Sequence, residues 1–325
     1  MKTILPSTLK NASFCLAFII AGISHAFAQS PANDFCGNAA SITVYGSSCG
    51  SSTTGDVTGA TQSLPPIVCN SSTSSTANDV WYKFVATAAA HTITVTGASS
   101  FDAVVELRDG SCSGNSLSCS DAIGNGVTEV INATGLTVGT TYYIRVYEYG
   151  SSTPSTPTFT ICITTPAPDN DICANASPLT VYGSTCGATV TGNVAGATQS
   201  LTAAPCAGTA DDDVWYSFVA TSTSHNITVV GSANFDAVVN LRSGPCSATP
   251  NITCKDATGN GGTEVINATG LTVGNTYIVR VYHFWGTLPS TTTFTICITT
   301  PAPANDNCSG AESLTVYGPT CGTAA

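Results

Sequence analysis

Charged side chains are scarce in this chain, and basic ones are the scarcest. Lys and Arg together number 8 against 19 Asp and Glu, and charged residues make up 8% of the 325 positions. Nucleic acids and anionic membrane surfaces are bound through basic patches. The acidic balance therefore argues against both classes of partner, and it favours solubility.

Recognisable catalytic and metal-binding motifs are also lacking. The sequence contains no Gly-x-Ser-x-Gly, no His-Glu-x-x-His and no Cys-x-x-Cys. The histidines that recur between repeats, His91 and His225, lie far from any cysteine, which argues against zinc. We therefore predict that the chain is not an enzyme and has no cofactor, with calcium as the alternative considered below.

Long apolar runs are limited to one, Ala12 to Ile23, which is shorter than the roughly 18 residues that a transmembrane helix needs. It follows Lys2 and Lys10 and precedes the Ala-x-Ala cleavage motif at Ala26. This pattern is typical of a secretory signal peptide. We predict a cleaved signal over residues 1–28, no membrane span, and a secreted, extracellular or cell-surface protein.

Cysteine, in contrast, is plentiful. The chain has 15 cysteines; one, Cys15, lies in the signal, and the others form groups of six, six and two. Even numbers in an exported protein predict disulfides. Six cysteines allow 15 pairings, so the connectivity stays open. We favour a nested set: Cys112–Cys119, Cys49–Cys69 and Cys36–Cys162 in the first group, and Cys246–Cys254, Cys186–Cys206 and Cys173–Cys297 in the second.

The chain repeats itself over long distances. Thr128 to Gly139 is identical to Thr263 to Gly274, and each repeat opens on Asn-Asp-x-Cys. We predict repeat 1 over residues 31–167, repeat 2 over residues 168–302 and the truncated start of a third repeat over residues 303–325. A period this long indicates duplicated domains, since solenoid repeats are much shorter.

Within each repeat, apolar residues alternate with polar ones. Ala103, Val105 and Leu107 point one way, while Glu106 and Arg108 point the other, with Val104 as the exception. No helical stripe is evident, so the sequence predicts an all-β fold of tandem, disulfide-stapled antiparallel β-sandwiches that are jelly-roll-like. Gly-Leu-Thr-Val-Gly before Tyr142 and its repeat before Tyr277 predict tyrosine corners.

These motifs carry a resemblance. Asn-Asp-x-Cys, Asp-Val-Trp-Tyr-x-Phe, Gly-Leu-Thr-x-Gly-x-x-Tyr and Phe-Thr-Ile-Cys together resemble the cysteine-bearing β-sandwich repeats of secreted Bacteroidetes proteins, which often carry a C-terminal sorting domain. More distantly, the repeats resemble bacterial pre-peptidase C-terminal domains. The resemblance implies secretion, a β-sandwich and an accessory role, without a defined ligand. Some pre-peptidase domains bind calcium, and Asp79 and Asp213 are the calcium ligands that we consider.

The strand Asp-Val-Trp-Tyr-x-Phe admits two interpretations. Trp81 and Trp215 alternate with the other aromatic residues of the motif. Either the tryptophans form a platform for sugar rings, or one aromatic row fills the core while the other covers a sheet face. The second interpretation is favoured because large aromatic residues dominate β-cores.

The best candidate contact surface is the loop that follows the Arg-Val-Tyr strand, since loop aromatics at a sandwich edge can stack on sugars or anchor a protein. This loop differs between repeats while the scaffold does not. Its candidate binding residues are Tyr147 and Tyr149 in repeat 1 and Tyr282, Phe284 and Trp285 in repeat 2.

Two functional hypotheses follow. The first is a secreted, non-catalytic module array for extracellular binding, adhesion or spacing, with a polysaccharide or a matrix or cell-surface protein as partner. The alternative is the substrate-targeting accessory region of a secreted hydrolase whose catalytic domain lies outside this chain. Both use repeated modules, which raise avidity.

Overall fold

The computed structural model describes residues 29–122, 124–151, 154–201, 208–244, 246 and 251–316. The signal predicted over residues 1–28 lies outside this range. The described residues form strands and three short 3-10 helices, Cys36–Asn38, Cys173–Asn175 and Cys308–Gly310. The predicted all-β class and the two tandem sandwiches are confirmed.

The described residues of repeat 1 form twelve strands, several of only two residues. They are β1 Ala40–Ser41, β2 Val44–Tyr45, β3 Thr53–Asp56, β4 Val68–Cys69, β5 Ser72–Thr73, β6 Asp79–Val85, β7 Ala90–Gly97, β8 Ala103–Arg108, β9 Ser116–Ser120, β10 Thr128–Thr134, β11 Thr141–Glu148 and β12 Thr158–Thr164.

Repeat 2 follows the same plan over its described residues. Its strands are β13 Ser177–Pro178, β14 Val181–Tyr182, β15 Val190–Asn193, β16 Val214–Val219, β17 Ser224–Gly231, β18 Ala237–Ser243, β19 Asn251–Lys255, β20 Thr263–Thr269, β21 Thr276–His283 and β22 Thr293–Thr299.

Two five-stranded sheets face each other in each repeat. The front sheet of repeat 1 has the order β1-β6-β11-β8-β9, and the back sheet has the order β10-β7-β12-β2 with β3 also paired to β12. The front sheet of repeat 2 is β13-β16-β21-β18-β19, and its back sheet joins β20, β17, β22, β14 and β15. The long pairings are antiparallel as predicted, whereas β1–β6 and β2–β12 are short parallel pairings.

The alternating pattern of the sequence becomes the sandwich core. Val80, Tyr82 and Phe84 of β6 point inward, and the inward residues of β8, β11, β7 and β12 meet them in one cluster. Repeat 2 builds the same cluster around Tyr216 and Phe218. Burying large side chains at roughly 1.5–3 kcal/mol each is the main force holding these two sheets together.

The predicted tyrosine corners are present in both repeats. The hydroxyl oxygen of Tyr142 accepts a hydrogen bond from the Thr137 N–H at 2.9 Å, and that of Tyr277 accepts one from the Thr272 N–H at 2.9 Å. Each corner ties a strand start to the crossover before it. The recurring histidines are structural as well, because Nε2 of His91 accepts from the N–H groups of Thr87 and Ala88.

The nested disulfide pairing was wrong. Repeat 1 is closed by Cys36–Cys112, Cys49–Cys162 and Cys69–Cys119. Repeat 2 contains Cys173–Cys246 and Cys186–Cys297. Cys254 is also disulfide-bonded, while Cys206 lies outside the described residues. The physical reason is that Cys112, in the β8–β9 connection, packs in a cluster with Cys36, whereas Cys119, on β9, packs in a separate cluster with Cys69.

The segment predicted to start a third repeat lies over residues 303–325, of which residues up to 316 are described. Cys308 is exposed and unpaired there, and Leu314 and Val316 are exposed too. That this segment opens a third sandwich stays a prediction.

Candidate functional site

A long segment covers the outer face of the front sheet in repeat 1. This cover segment, residues 57–78, includes β4 and β5 and is joined to the edge strand β9 by Cys69–Cys119. Beneath it Val104, Tyr147, Cys69 and Ala77 form a second apolar cluster outside the main core. The exceptional position of Val104 in the alternating pattern is thereby explained, because both faces of this sheet are buried.

Trp81, which packs against Leu64 of this cover segment, and Trp215 in repeat 2 are both fully buried, so neither is a platform for sugar. The indole N–H of Trp81 donates to Asp79 Oδ1 at 3.0 Å and to Ser63 Oγ at 2.9 Å. Trp215 makes the same two bonds, to Asp213 and Ser200. Of the two interpretations of the motif, the structural one holds: one aromatic row fills the core and the other lies on a covered sheet face.

Asp79 and Asp213 each bind a buried arginine. Arg145 Nε donates to Asp79 Oδ2 at 2.7 Å, and Arg280 Nε donates to Asp213 Oδ2 at 2.8 Å. All four side chains are fully buried. A carboxylate already neutralised by a guanidinium has no free oxygen to offer a cation. Calcium at these two aspartates stays a prediction that their buried arginine contacts disfavour, and among the described residues no group of three or more His, Cys, Asp or Glu is placed to hold a metal ion.

The guanidinium groups also anchor the cover and the neighbouring tyrosines. Arg145 Nη1 donates to Pro65 O at 2.9 Å, and its Cζ lies 4.8 Å from the ring centre of Tyr147. Tyr147 and Tyr282 are 0% exposed. These two tyrosines cannot contact a ligand, and their assignment to the binding surface is corrected: they alternate onto the covered face together with the arginine.

The remaining loop residues do lie at one end of each sandwich. Trp285 is 57% exposed, and its ring centre lies 4.7 Å from that of the partly buried Phe284 in an edge-to-face arrangement. The Phe284 carbonyl accepts from Thr209 N–H at 2.8 Å, which fixes the loop against the segment that precedes β16. Repeat 2 therefore presents one rigidly supported exposed aromatic ring.

Repeat 1 lacks this ring, since Gly150 follows Tyr149 where Trp285 follows Phe284. Tyr149 is half-buried, and its hydroxyl is hydrogen-bonded to Ser72 Oγ at 2.7 Å. It lines a cavity of about 480 Å³ together with Asp102 and Asp121. The two repeats thus carry different surfaces at equivalent ends of one scaffold.

Acidic groups gather at these ends. Burial raises the pKa of Asp212 to about 8, assisted by the neighbouring charges of Asp211 and Asp213. Burial likewise raises the pKa of Glu148 to about 7, with the charge of Asp102 contributing. The equivalent of Glu148 in repeat 2 is His283, whose pKa is lowered, chiefly by burial.

The sequence did not predict that these acids come together. Asp102 and Asp236 follow the same phenylalanine in each repeat, and Glu129 and Glu264 occupy the same place in an identical string. Recurrence of the acids within otherwise apolar, alternating strands was the available signal. It did not reveal that residues from separate loops meet at one end of the sandwich.

Comparisons with known proteins follow from this architecture. The fold defines the class: a tandem array of β-sandwiches, each with internal disulfides. A family model described as galactose binding domain-like, associated with T9SS, matches residues 32–161 and 169–296. The chain belongs to this family. The family and the disulfides fit an extracellular or cell-surface protein. Within the part of the chain that the structure describes, no helix is long and apolar enough to span a membrane.

Solved structures show distant similarity. The pre-peptidase C-terminal domain of collagenase from Bacillus anthracis is 18% identical, with 38% of this chain and 93% of that chain covered and a TM-score of 0.25. A fucolectin from striped bass serum is 12% identical, with 68% and 80% covered and a TM-score of 0.19. Among curated proteins the comparison found no match.

Proposed function

We propose that the chain is an extracellular, non-catalytic carbohydrate-binding module array, and that repeat 2 contacts sugar through Trp285. The observation that carries this proposal is the exposed indole of Trp285, held from below by Phe284 at one end of a rigid sandwich. Aromatic rings that are exposed yet immobilised suit stacking, because little side-chain entropy remains to be lost on binding.

Polar groups beside the ring supply the directional contacts that stacking lacks. The Asp211 carboxylate and Thr209 lie close to Gly286, the residue after Trp285. The carboxylate accepts hydrogen bonds from sugar hydroxyls, and the threonine hydroxyl both accepts and donates them, while the ring contacts the apolar face of the sugar. The family description, galactose binding domain-like, supports the same ligand class.

The proposed contact serves adhesion and substrate targeting equally. In the first case the array holds a cell surface to a polysaccharide, and in the second it delivers an attached hydrolase to one. Both require binding without chemistry, in keeping with a family that is typically non-catalytic.

The test is a glycan array probed with the chain, followed by affinity measurements on its strongest ligand. Trp285→Ala is expected to weaken binding at least about tenfold, since buried aromatic anchors contribute more than about 1.4 kcal/mol. Val273→Ala is the matched control, because Val273 is 56% exposed and lies at the opposite end of β21. Unchanged affinity in Trp285→Ala, or no glycan bound at all, contradicts the proposal.

A further inference from the structure

The cavity in repeat 1 has an unusual lining. It measures about 480 Å³ and opens at the end of the sandwich that corresponds to the Trp285 end of repeat 2. Its wall combines two carboxylates, one aromatic ring, two neutral polar side chains and two small residues: Asp102, Asp121, Tyr149, Asn70, Ser72, Ala122 and Gly124.

Two carboxylate oxygens without a hydrogen-bond partner are buried in or next to the lining residues of this cavity. Glu129 is 1% exposed; its Oε2 accepts from the N–H of Ala122, a lining residue, at 2.7 Å, while its Oε1 has no hydrogen-bond partner. Oδ1 of Asp102 is also buried without a partner. An unpaired buried acceptor costs about 1–3 kcal/mol, and more when it is charged. These atoms therefore favour a ligand that donates hydrogen bonds.

No protein cation neutralises the group. Asp102, Asp121, Glu129 and Glu148 form no ion pair with any described Lys, Arg or His, whereas Arg108 and Arg145 bind Glu106 and Asp79. The charge of Glu129 raises the pKa of both Asp102 and Asp121, after the larger effect of burial. The cavity therefore has a negative potential that a cationic ligand would relieve.

Repeat 2 preserves the central feature. Asp236, the counterpart of Asp102, is 8% exposed and its Oδ1 is likewise buried without a partner. The Asp236 N–H donates to His283 Nδ1 at 3.1 Å, where the Asp102 N–H donates to Glu148 Oε2 at 3.0 Å. The same oxygen is buried without a partner in both repeats, so the feature is built into the scaffold. In repeat 1 the fourth acidic group, Glu148, replaces the histidine of repeat 2 and makes this end of the sandwich more negative.

A metal ion does not fit this arrangement. No three acidic, histidine or cysteine side chains of the described chain converge closely enough to coordinate one ion. Carboxylates spread over a cavity wall suit a larger cation whose charge is spread over several N–H donors. The half-buried ring of Tyr149, at the same wall, adds a face on which an ammonium group is attracted.

We propose that this repeat 1 cavity binds the protonated amine of an amino sugar. This rests on the proposed carbohydrate function and names a second ligand class for the array. The ammonium group donates to the carboxylates of Asp102 and Asp121, which line the cavity, and the sugar ring lies against Tyr149. N-acetylation removes the positive charge of the amine, so the acidic cavity selects amino sugars over their N-acetylated forms.

The test is a titration of the chain at pH 7 with glucosamine and with N-acetylglucosamine, followed by NMR of repeat 1 amides. Glucosamine is expected to bind at least about tenfold more tightly, the effect of one charge-assisted hydrogen bond. The double variant Asp102→Asn, Asp121→Asn is expected to abolish this difference. Asp56→Asn removes an exposed carboxylate of repeat 1 and is expected to keep it.

Three further arms separate the alternatives. Trp285→Ala is expected to leave glucosamine binding unchanged. Failure of sugar binding at Trp285 can therefore be distinguished from failure of amine binding in the repeat 1 cavity. Equal or tighter binding of Nα-acetyl-lysine amide overturns the sugar assignment in favour of a protein ligand. Calcium that displaces glucosamine and needs the same two aspartates overturns the amine assignment, as does equal binding of the two sugars.

Discussion

Single residues at the covered face of the front sheet are buried and therefore do not form a binding surface. Asp79, Trp81 and Arg145 form one hydrogen-bonded group in which the carboxylate, the indole and the guanidinium are all fully buried. In the sequence, Asp79 suggested a metal ligand and Trp81 suggested a sugar platform. Burial of an ion pair is costly unless all partners are satisfied, and here the cover segment carbonyls complete the set.

Asp212 is the residue whose environment has the clearest consequence for pH. Its Oδ1 accepts the His283 N–H at 3.0 Å, but its Oδ2 is buried without a partner. Burial raises its pKa to about 8, so the folded state holds this proton more tightly than the unfolded chain does. Its stabilising effect is therefore complete below about pH 4, the pKa of an unfolded aspartate, and is lost as the pH rises through 8.

We expect the free energy of unfolding of repeat 2 to fall between about pH 5 and pH 8.5. Asp212→Asn keeps the acceptor for His283 and removes the titration, so its fall is expected to be smaller by about 1 kcal/mol or more. Urea denaturation at several pH values, followed by the fluorescence of Trp215 and Trp285, measures this. The exposed Asp169→Asn is the control; a wild-type slope in Asp212→Asn contradicts the prediction.

At the scale of elements, strands were predictable and their cover was not. The period-two alternation of β6, β8 and β11 identifies inward rows correctly, because core burial imposes it directly. The cover segment has no such period, since it is held by hydrogen bonds from Arg145 and by Cys69–Cys119. The disulfide pairing was predicted wrongly for the same reason: it depends on where the cover segment lies, which sequence periodicity does not show.

Cys69–Cys119 should matter most for this element. The bond closes a loop with a sequence separation of 50 residues, for which chain entropy alone predicts about 4 kcal/mol. We expect the double variant Cys69→Ser, Cys119→Ser to destabilise repeat 1 by about 2–4 kcal/mol. Loss of the cover should expose Trp81 and Tyr147, detectable as increased fluorescence quenching by acrylamide.

The contrasting double variant is Cys49→Ser, Cys162→Ser, which opens a disulfide between the start of repeat 1 and the back sheet strand β12. It should lower stability while leaving Trp81 protected in the folded state. If both variants expose Trp81 equally, the cover is not held by Cys69–Cys119 in the way we describe.

At the scale of the whole molecule, two near-identical scaffolds carry unlike ends. The loop after β11 and β21 was correctly located in the sequence as the place where the repeats differ, because a duplicated scaffold keeps its core. Which of its aromatics are exposed could not be predicted: Tyr282 alternates onto the covered face, while Trp285 lies beyond the strand. The acid-lined cavity depends on contacts between distant loops, which neither motif nor period encodes.

Because the two repeats have different candidate binding ends, we expect the chain to prefer a polymer that contains two kinds of sugar. A polysaccharide that carries both free amino sugars and N-acetylated sugars, such as partly deacetylated chitin, offers one ligand to each repeat. Joining two weak contacts on one chain raises avidity well beyond either alone. We therefore expect retention on this polymer to drop in Trp285→Ala and in Asp102→Asn, Asp121→Asn, and to vanish when the substitutions are combined.

Salt separates the two contributions in the same experiment. The contact of an ammonium group with carboxylates weakens as ionic strength rises, whereas stacking on Trp285 is largely insensitive to it. Retention of the wild type in high salt should therefore equal that of Asp102→Asn, Asp121→Asn in low salt, and Trp285→Ala should be lost in high salt. If the combined variant still binds the polymer, the sugar contact lies at neither of these two ends. If Asp102→Asn, Asp121→Asn leaves the salt dependence of retention unchanged, the repeat 1 cavity does not contribute to binding.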